Sequence, residues 1–254
     1  MTNIYHITHH AHDNSIYVFF QGCNFQCKGC ILKQLIWDCH LKDDIQRELQ
    51  AINDLRKLSL DGFKIIVKGL NVKRAVLGGG EPTLDKELPD IISMLNALDV
   101  KTHLLTNGYI LDKKFIEKLE KAGLSSTYVS IKAYDNDTHR FYTGQTNEPV
   151  LDNFKLLSKS RIELMAESVL IPGLIEQDEI ERIARFIASI DPSIPYRIDG
   201  FIPIHDAPWK ASSQEEVIEA SKIAKKHLKN VHYMHSKIKV KGDVINIYPK
   251  MKGR

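Results

Sequence analysis

Segments of strand character alternate with amphipathic helical segments along this chain, and this alternation restricts the fold more than any other feature. The pattern is typical of β-α units that build a parallel sheet. Six such strands are predicted, at Ser15–Phe20, Arg74–Leu77, Thr102–Leu105, Thr127–Ile131, Glu163–Ile171 and Tyr196–Ile202. We therefore expect an α/β protein with a partial (β/α)6 TIM-like barrel.

Helical patterns fill most of the intervals between these strands. The predicted helices are near Asp44–Ser59, Lys86–Leu98, Lys113–Ala122, Glu179–Ile190 and Gln214–Leu228. Gly123 is a helix stop signal, and the apolar piece Phe63–Val67 is a candidate for an extra strand. Two further segments, Lys237–Val240 and Val244–Tyr248, predict a terminal β-hairpin, which divides the chain into a core domain (residues 1–235) and a hairpin extension (residues 236–254).

Composition excludes several classes of protein. The 254 residues are enough for one large domain with a well-buried core. The net charge of +3 is small and the basic residues are spread along the chain, so nucleic acid is not expected as a partner. No apolar run has the length of a membrane span, and the first twelve residues are polar and rich in histidine rather than typical of a signal peptide. We expect a cytoplasmic protein without membrane contact.

Three cysteines lie close together directly after the first predicted strand. Cys23, Cys27 and Cys30 have the spacing Cys-x3-Cys-x2-Cys, which is too tight for easy disulfide pairing and suits metal ligation. Three thiolates on a four-iron cluster leave one iron open for a small molecule. The alternative is a closed zinc site completed by Cys39 or His40, but the chain has no second Cys-x2-Cys pair.

A glycine-rich turn follows the second predicted strand, with the sequence Gly78-Gly79-Gly80-Glu81-Pro82-Thr83. Glycines let the backbone approach a ligand closely and expose amide groups, while Glu81 supplies a carboxylate for an ammonium group. By itself, a glycine-rich turn of this kind commonly has no ligand-binding role.

The cysteine loop and the Gly-Gly-Glu turn together resemble the radical S-adenosylmethionine (SAM) superfamily, in which they follow the first two strands. The resemblance implies a 4Fe-4S cluster on Cys23, Cys27 and Cys30. It also implies that the open iron binds the amino and carboxylate groups of SAM, and that Gly79, Gly80 and Glu81 hold the SAM ammonium.

Later motifs resemble pyruvate formate-lyase (glycyl-radical-enzyme) activating enzyme and its archaeal relatives. These motifs are Trp37-Asp38, Thr106-Asn107-Gly108, Lys132-Ala133-Tyr134-Asp135, Thr138-His139-Arg140, Tyr142-Thr143-Gly144, Asn147 to Leu151, Ile171-Pro172-Gly173 and Ile202-Pro203-Ile204-His205. The resemblance implies that Asn107 and Lys132 help to hold SAM, that Ile171 to Gly173 lie against it, and that His205 lies near SAM or the substrate. Each of these residues falls at the carboxyl end of a different predicted strand, where barrel enzymes gather catalytic groups.

The sequence departs from the activating enzymes at several positions. Leu105 and Ser130 replace aspartates that bind a monovalent cation in that family, and Glu167 stands where an arginine is common. Gly29 replaces the aromatic residue that usually precedes the third cysteine, which predicts looser packing at the adenine. These changes indicate that the substrate side of the site has been altered.

The predicted function is that of an anaerobic radical SAM oxidoreductase. An electron from a ferredoxin or flavodoxin enters the cluster, SAM is cleaved reductively, and the 5'-deoxyadenosyl radical removes hydrogen from a substrate. The substrate is either a glycine of a glycyl-radical protein or, alternatively, a small molecule or another peptide. A third hypothesis is a non-catalytic zinc or cluster-binding module. His6, His9, His10 and His12 are interpreted as surface residues, and Cys39 as a buried small side chain.

Overall fold

A computed structural model describes residues 1–52, 54–235, 238 and 241–251. Within these residues one sheet has the strand order β8-β7-β6-β5-β4-β3-β2-β1-β9. The strands are β1 (Ile4–His10), β2 (Ser15–Phe20), β3 (Arg74–Gly79), β4 (Lys101–Thr106), β5 (Ser126–Ser130), β6 (Glu163–Leu170), β7 (Tyr196–Gly200), β8 (Val231–Met234) and β9 (Val244–Tyr248). Strands β2 to β8 pair in parallel, whereas β1 pairs antiparallel with both β2 and β9. The sheet is not closed, which confirms the predicted partial barrel.

Helices follow most of the parallel strands and cover the sheet. They are α1 (Asp43–Gln50), α2 (Leu60–Leu70), α3 (Leu88–Ala97), α4 (Lys113–Ala122), α5 (Asn136–Thr143), α6 (Glu148–Leu157), α7 (Gln177–Ile190) and α8 (Gln214–Ala224). Buried side chains of the helices and of alternate strand positions form one large apolar core, in which Val18 of β2 and Ile91 of α3 are fully buried. No helix in the described part of the chain has both the length and the apolarity needed to cross a membrane.

Local signals explain where α4 begins and ends. The Asp112 carboxylate accepts a hydrogen bond from Phe115 N at 2.8 Å and caps the first turn. Gly123 ends the helix with a φ of 92°, which glycine adopts without steric cost. The predicted bounds of this helix are confirmed.

The apolar piece Phe63–Val67 belongs to helix α2, so its prediction as an extra strand is wrong. Ser59 caps the helix by accepting from Gly62 N, and Asn71 ends it in the left-handed conformation. Phe63 and Val67 are one turn apart and buried, while Ile65 is 72% exposed. The buried positions therefore have helical spacing, although β-branched residues dominate the segment.

Residues 4–10 form an internal strand, and this corrects the interpretation of His6 as a surface residue, whereas His12 is exposed. The interpretation of Cys39 as buried is also wrong, because its side chain is exposed. Because β1 lies between β2 and β9, His6 is fully buried. The C-terminal segment Val244–Tyr248 is β9, which pairs with β1. Of the predicted partner strand Lys237–Val240, all but Ile238 lie outside the described residues, and the division at residue 235 stays a prediction.

Candidate active site at the carboxyl ends of the strands

The motifs singled out in the sequence follow the carboxyl ends of adjacent parallel strands. The cysteine loop follows β2, Gly80 and Glu81 follow β3, and Asn107 follows β4. Lys132, Ile171 and His205 come after β5, β6 and β7 in the same way. Since the carboxyl ends of parallel strands meet at one edge, the fold gathers these loops at one end of the partial barrel, which we call the mouth.

The cysteine loop is attached to the protein on both sides of Cys27. Gln26 N donates to Thr143 O at 2.8 Å, and Lys28 N donates to Tyr142 O at 3.0 Å. Cys23 is exposed, while Cys27 and Cys30 are half-buried, and all three are free thiols. The loop therefore presents three thiols at the mouth.

The arrangement of the thiols does not suit a single ion. The three sulfur atoms do not all lie within 4.8 Å of one another, whereas thiolates on one zinc ion are separated by about 3.8 Å. No group of three close ligands in the described ranges combines Cys39 or His40 with the loop cysteines. The positions of these ligands thus do not support the zinc site considered as the alternative.

The pKa of Cys27 reflects the burial of the cysteine loop. Burial raises the pKa of Cys27 to about 11, and Lys132 opposes this rise. Because thiolates are the ligands, metal binding must displace these protons. Phe25 N donates to Cys23 Sγ at 3.3 Å, and Asn24 Nδ2 is a buried donor without a protein partner. These donors can serve the sulfur atoms of a cluster and its ligand.

Glu81 is almost fully buried, and its carboxylate is the centre of a hydrogen-bond network. Oε1 accepts from Thr83 N (3.1 Å), Thr83 Oγ1 (2.5 Å) and Thr106 Oγ1 (2.7 Å), and Oε2 accepts from Asn107 N (2.7 Å). Burial raises the pKa of Glu81, and these donors oppose the rise. Since Oε2 has one donor, it retains a lone pair for an ammonium group.

Gly80 is required by the close approach of the cysteine loop. A Cβ atom at this position would lie 2.2 Å from Gly22 O and 2.7 Å from Phe20 O. Gly80 N donates to Phe20 O at 2.9 Å, and Glu81 N donates to Gly22 O at 2.7 Å. These two amides are therefore used within the protein, which corrects the expectation that the turn exposes them. Gly79 has a φ of 91°, so it also needs glycine.

Asn107 connects the loop after β4 to the cysteine loop. Its Nδ2 donates to Asn24 Oδ1 at 2.7 Å and lies 3.8 Å from Cys23 Sγ, and its Oδ1 accepts from Tyr109 N at 3.0 Å. Lys132 is half-buried and donates to Ser130 Oγ, and its charge opposes the rise in pKa that burial causes at Cys23 and Cys27. Both residues therefore act on the cysteine loop.

The remaining predicted site residues lie on the loops after β6 and β7. Ile171 is buried and its N–H donates to Ile175 O at 2.9 Å, which closes a turn in which Gly173 has a φ of 83°. His205 is exposed, and its backbone N–H donates to Gln34 Oε1 at 3.0 Å. This bond ties the loop after β7 to the segment that follows Cys30.

An aromatic cluster beside Gly29 was not recognised from the sequence as part of the site. A Cβ at Gly29 would lie 2.7 Å from the Phe201 ring and 3.1 Å from the Tyr142 hydroxyl. The Trp209 ring is edge-on to Tyr142 and Phe201, with centroids 5.9 and 6.2 Å away. Rings from α5 and from the loop after β7 thus pack directly against Gly29 and leave no room for a larger side chain, while the looser packing at the adenine stays a prediction. The sequence signal that could have revealed this cluster was glycine at position 29, where the family usually has an aromatic residue.

A second group that sequence reasoning missed is the pair Arg197 and Asp199 on β7. Arg197 is paired with Glu167 of β6, and its Nε lies 3.0 Å from Asp199 Oδ1. The guanidinium also lies over the Tyr128 ring, 5.4 Å from its centroid. Burial raises the pKa of Asp199 to about 6. Glu167, which replaces a family arginine, is therefore balanced by an arginine from the next strand.

Comparisons with known proteins agree with this site. A family model described as the radical SAM superfamily matches residues 17–187. A Methanocaldococcus jannaschii protein, provisionally named a glycyl-radical enzyme activating enzyme, is 31% identical over 230 residues, which cover 89% of this chain and 82% of that protein. A GTP 3',8-cyclase of Alkaliphilus oremlandii is 26% identical over 206 residues, which cover 79% of this chain and 61% of the cyclase.

Two solved structures share the fold. SuiB of Streptococcus suis, bound to SAM, has a TM-score of 0.66 at 14% identity, and the match covers 84% of this chain and 48% of SuiB. A domain of pyruvate-formate lyase-activating enzyme from Bacteroides vulgatus has a TM-score of 0.50 at 20% identity, covering 57% of this chain and 88% of that domain. Given the extent of the family match and of the archaeal relative, this protein is an enzyme of the radical SAM superfamily, whose members use a 4Fe-4S cluster and SAM.

Proposed function

We propose that this radical SAM enzyme is an activase that removes a hydrogen atom from a glycine of a partner protein. The observation that carries the proposal is the 31% identity to the M. jannaschii activating-enzyme relative over 89% of the chain. When bound, the cluster and SAM supply a one-electron cleavage that yields a hydrogen-abstracting radical.

The residues of the mouth have separable tasks in this proposal. Cys23, Cys27 and Cys30 would hold the cluster, and the free lone pair on Glu81 Oε2 would accept from the SAM ammonium beside Gly79 and Gly80. Asn107 and Lys132 would hold SAM from the next two strands, because both already act on the cysteine loop. Ile171, Gly173 and His205 would close the opposite side and exclude water.

The rim of the mouth supports a protein substrate. Several large apolar side chains are exposed on the segments that follow the strands, namely Ile31 (36%), Ile36 (36%) and Ile202 (52%) on connecting segments and Phe141 (56%) on helix α5. Exposed apolar side chains that gather at one face commonly mark a contact with another protein. A partner that buries this rim could present a glycine loop to the mouth.

Enzymes of this superfamily need a reductant, and the surface beside the cluster loop favours an acidic one. Lys28, Lys33 and Arg140 are exposed around this loop, and Lys28 Nζ lies 4.9 Å from the Phe141 ring centroid. A ferredoxin or flavodoxin with an acidic face would be attracted to this surface.

Deuterium transfer tests the proposal directly. The reconstituted enzyme is reduced without oxygen and mixed with SAM and a peptide whose candidate glycine carries deuterium at the α-carbon. We expect deuterium in the released 5'-deoxyadenosine and an organic radical on the peptide by electron paramagnetic resonance. A peptide with alanine at the same position is the control. If no glycine peptide transfers deuterium to an enzyme that cleaves SAM, the activase assignment fails.

A small-molecule substrate is the second candidate, and two observations favour it. The GTP 3',8-cyclase of A. oremlandii matches 79% of this chain. The Glu167, Arg197 and Asp199 group also lies on the strands that lead to the mouth, where it could bind polar groups of a small substrate. Stimulation of SAM cleavage by GTP or by a metabolite extract, without label transfer from any glycine peptide, would support this branch.

A further inference from the structure

A second cluster of metal-ligand side chains lies outside the mouth, where the segment after the cysteine loop packs against β1. Its centre is Asp38, which is 3% exposed. His40 Nδ1 lies 3.0 Å from Asp38 Oδ1, and His10 Nε2 of β1 lies 3.5 Å from Asp38 Oδ2. Cys39 Sγ lies 3.5 Å from His40 Nδ1. The fold thus brings two histidines that are thirty residues apart to one carboxylate, and one of them, His40, also contacts a thiol.

The spacing of these atoms suits one small cation. The ligand atoms of Asp38, Cys39 and His40 all lie within 4.8 Å of one another, and no other such group of three occurs in the part of the chain that the structure describes. Ligands on a tetrahedral zinc ion are separated by about 3.3 to 3.8 Å, given metal–ligand bonds of about 2.0 to 2.3 Å. The separations of 3.5 Å, from Cys39 Sγ to His40 Nδ1 and from His10 Nε2 to Asp38 Oδ2, match this range. The 3.0 Å between His40 Nδ1 and Asp38 Oδ1 is a hydrogen-bond distance that must lengthen when an ion binds. His10 is not in the group of three, so its side chain must turn to reach the ion.

We propose that His10, Asp38, Cys39 and His40 form a binding site for a divalent d-block cation, for which Zn²⁺ is the best fit. One thiolate, two imidazoles and one carboxylate are all ligands that zinc takes, and four ligands close its tetrahedral shell. A closed shell indicates a structural site, separate from the open iron of the cluster. This proposal does not depend on the proposed activase function.

Neighbouring side chains hold the carboxylate in place, as is usual around metal sites. Thr8 Oγ1 donates to Asp38 Oδ2 at 2.7 Å. His6 Nδ1 lies 2.7 Å from Tyr248 O and donates to it, so its Nε2 is the acceptor that receives Asp38 N at 3.3 Å. Through these bonds the site connects β1 and β9 to the segment that leads away from the cysteine loop. A bound cation would therefore clamp that segment to the sheet.

The competing explanation is a hydrogen-bond network without metal, in which Asp38 simply accepts from two histidines and Thr8. In this network the exposed Cys39 thiol has only its hydrogen-bond contact with His40 Nδ1. Cys39→Ser therefore distinguishes the two explanations, because serine can keep a hydrogen bond to His40 but does not supply a thiolate to a metal ion.

The experiment measures zinc, iron and sulfide in the full-length protein after anaerobic cluster reconstitution, zinc addition and gel filtration. We expect one zinc per chain in the wild type, and loss of that zinc in Cys39→Ser and His10→Ala with iron and sulfide unchanged. Thr8→Val should weaken zinc binding by about 10- to 100-fold, as for other residues behind a metal ligand. The matched control, Cys27→Ala, should lose iron and keep the zinc.

Cobalt gives a second readout that does not depend on the stability of the variants. Co²⁺ added in place of Zn²⁺ should give a thiolate charge-transfer absorption in the wild type and in Cys27→Ala, but not in Cys39→Ser. Zinc that binds equally well to Cys39→Ser would overturn the proposal in favour of the hydrogen-bond network. Zinc that is lost with Cys27→Ala would show that the metal occupied the cluster loop instead.

Discussion

Gly80 stands where two backbone oxygens leave no room for a side chain. In Gly80→Ala the new methyl group would lie 2.2 Å from Gly22 O, so the strand end or the start of the cysteine loop must move. We expect a loss of about 1 to 3 kcal/mol in the free energy of unfolding, as for other overpacked sites, together with a lower iron content. Urea unfolding and iron analysis measure both.

Gly69→Ala is the matched control for this change. Gly69 lies in helix α2, and a Cβ there would meet no atom within 4 Å. Alanine should therefore leave the iron content unchanged and raise the free energy of unfolding by up to about 1 kcal/mol. Equal behaviour of the two variants would contradict the role given to Gly80.

Substitution of Glu81 should weaken SAM binding without preventing cluster assembly. In Glu81→Gln an amide group must face Thr83 and Thr106 or Asn107 N, which are all donors, so one hydrogen bond is lost and the negative charge disappears. We expect SAM affinity to fall by about 10- to 100-fold, which corresponds to about 1.5 to 3 kcal/mol for a bond to a charged group. Equilibrium binding to the reconstituted protein measures this, with the exposed Glu117→Gln as the control. Unchanged affinity at equal iron content would refute the role.

At the scale of elements, strands β2 to β7 and β9 were predictable, and β1, β8 and α2 were not. Strands β2 to β7 are short runs of strand-favouring residues between the helical segments, and the prediction placed each within two residues or less of its observed ends. Strand β1 was missed because His6, Thr8 and His10 made it look polar. Their burial is explained by Asp38 and β9, which are distant in sequence. Helix α2 was misread because Ile65, Ile66 and Val67 favour strands locally, whereas packing of Phe63 and Val67 favours a helix.

The sequence predicted those site residues that belong to short sequence motifs. The cysteines, Glu81 and Asn107 stand in contiguous sequence patterns. Arg197, Asp199 and Trp209 lie outside them, and their contacts with Glu167, Tyr142 and Phe201 exist only because the sheet brings separate loops together.

Helix α5 carries a buried histidine, His139, through which we expect the stability of the protein to depend on pH. This side chain is fully buried, and its ring lies edge-on to Phe25 of the loop, with centroids 5.4 Å apart. Nδ1 donates to Gln145 O at 2.9 Å, and Nε2 is buried without a partner, so burial holds the pKa of His139 below its ordinary value.

Because His139 is neutral in the folded protein, we expect the free energy of unfolding to decrease as the pH falls. Below about pH 6.5 the unfolded chain binds a proton that the folded chain does not, so the free energy of unfolding falls by up to about 1.4 kcal/mol per pH unit. His139→Gln keeps a donor for Gln145 O and cannot titrate, so it should lose less stability between about pH 8 and about pH 5.5 than the wild type. Urea unfolding of the metal-free proteins measures the difference, and equal pH dependence would contradict this role.

At the scale of the whole molecule, the sheet and its core are built separately from the cofactor loops. The fully buried side chains Phe20, Leu77, Leu104 and Phe154 come from strands and helices, and the cysteine loop adds mainly Phe25 to this core. The mouth is thus a set of loops on a scaffold whose core comes mainly from other parts of the chain. This separation allows one superfamily to vary the substrate side while keeping the radical chemistry.

This separation predicts how the protein responds when its iron is removed. Chelation should leave the far-ultraviolet circular dichroism unchanged and preserve a cooperative unfolding transition, unlike small metal domains that unfold without metal. Amide hydrogen exchange should become faster in residues 21–36, which hold the cysteine loop, and stay slow in β2 to β7. The comparison uses the same protein before and after chelation, with zinc supplied throughout so that only iron changes. Rapid exchange across the central strands after iron removal would show instead that the cluster is part of what holds the barrel together.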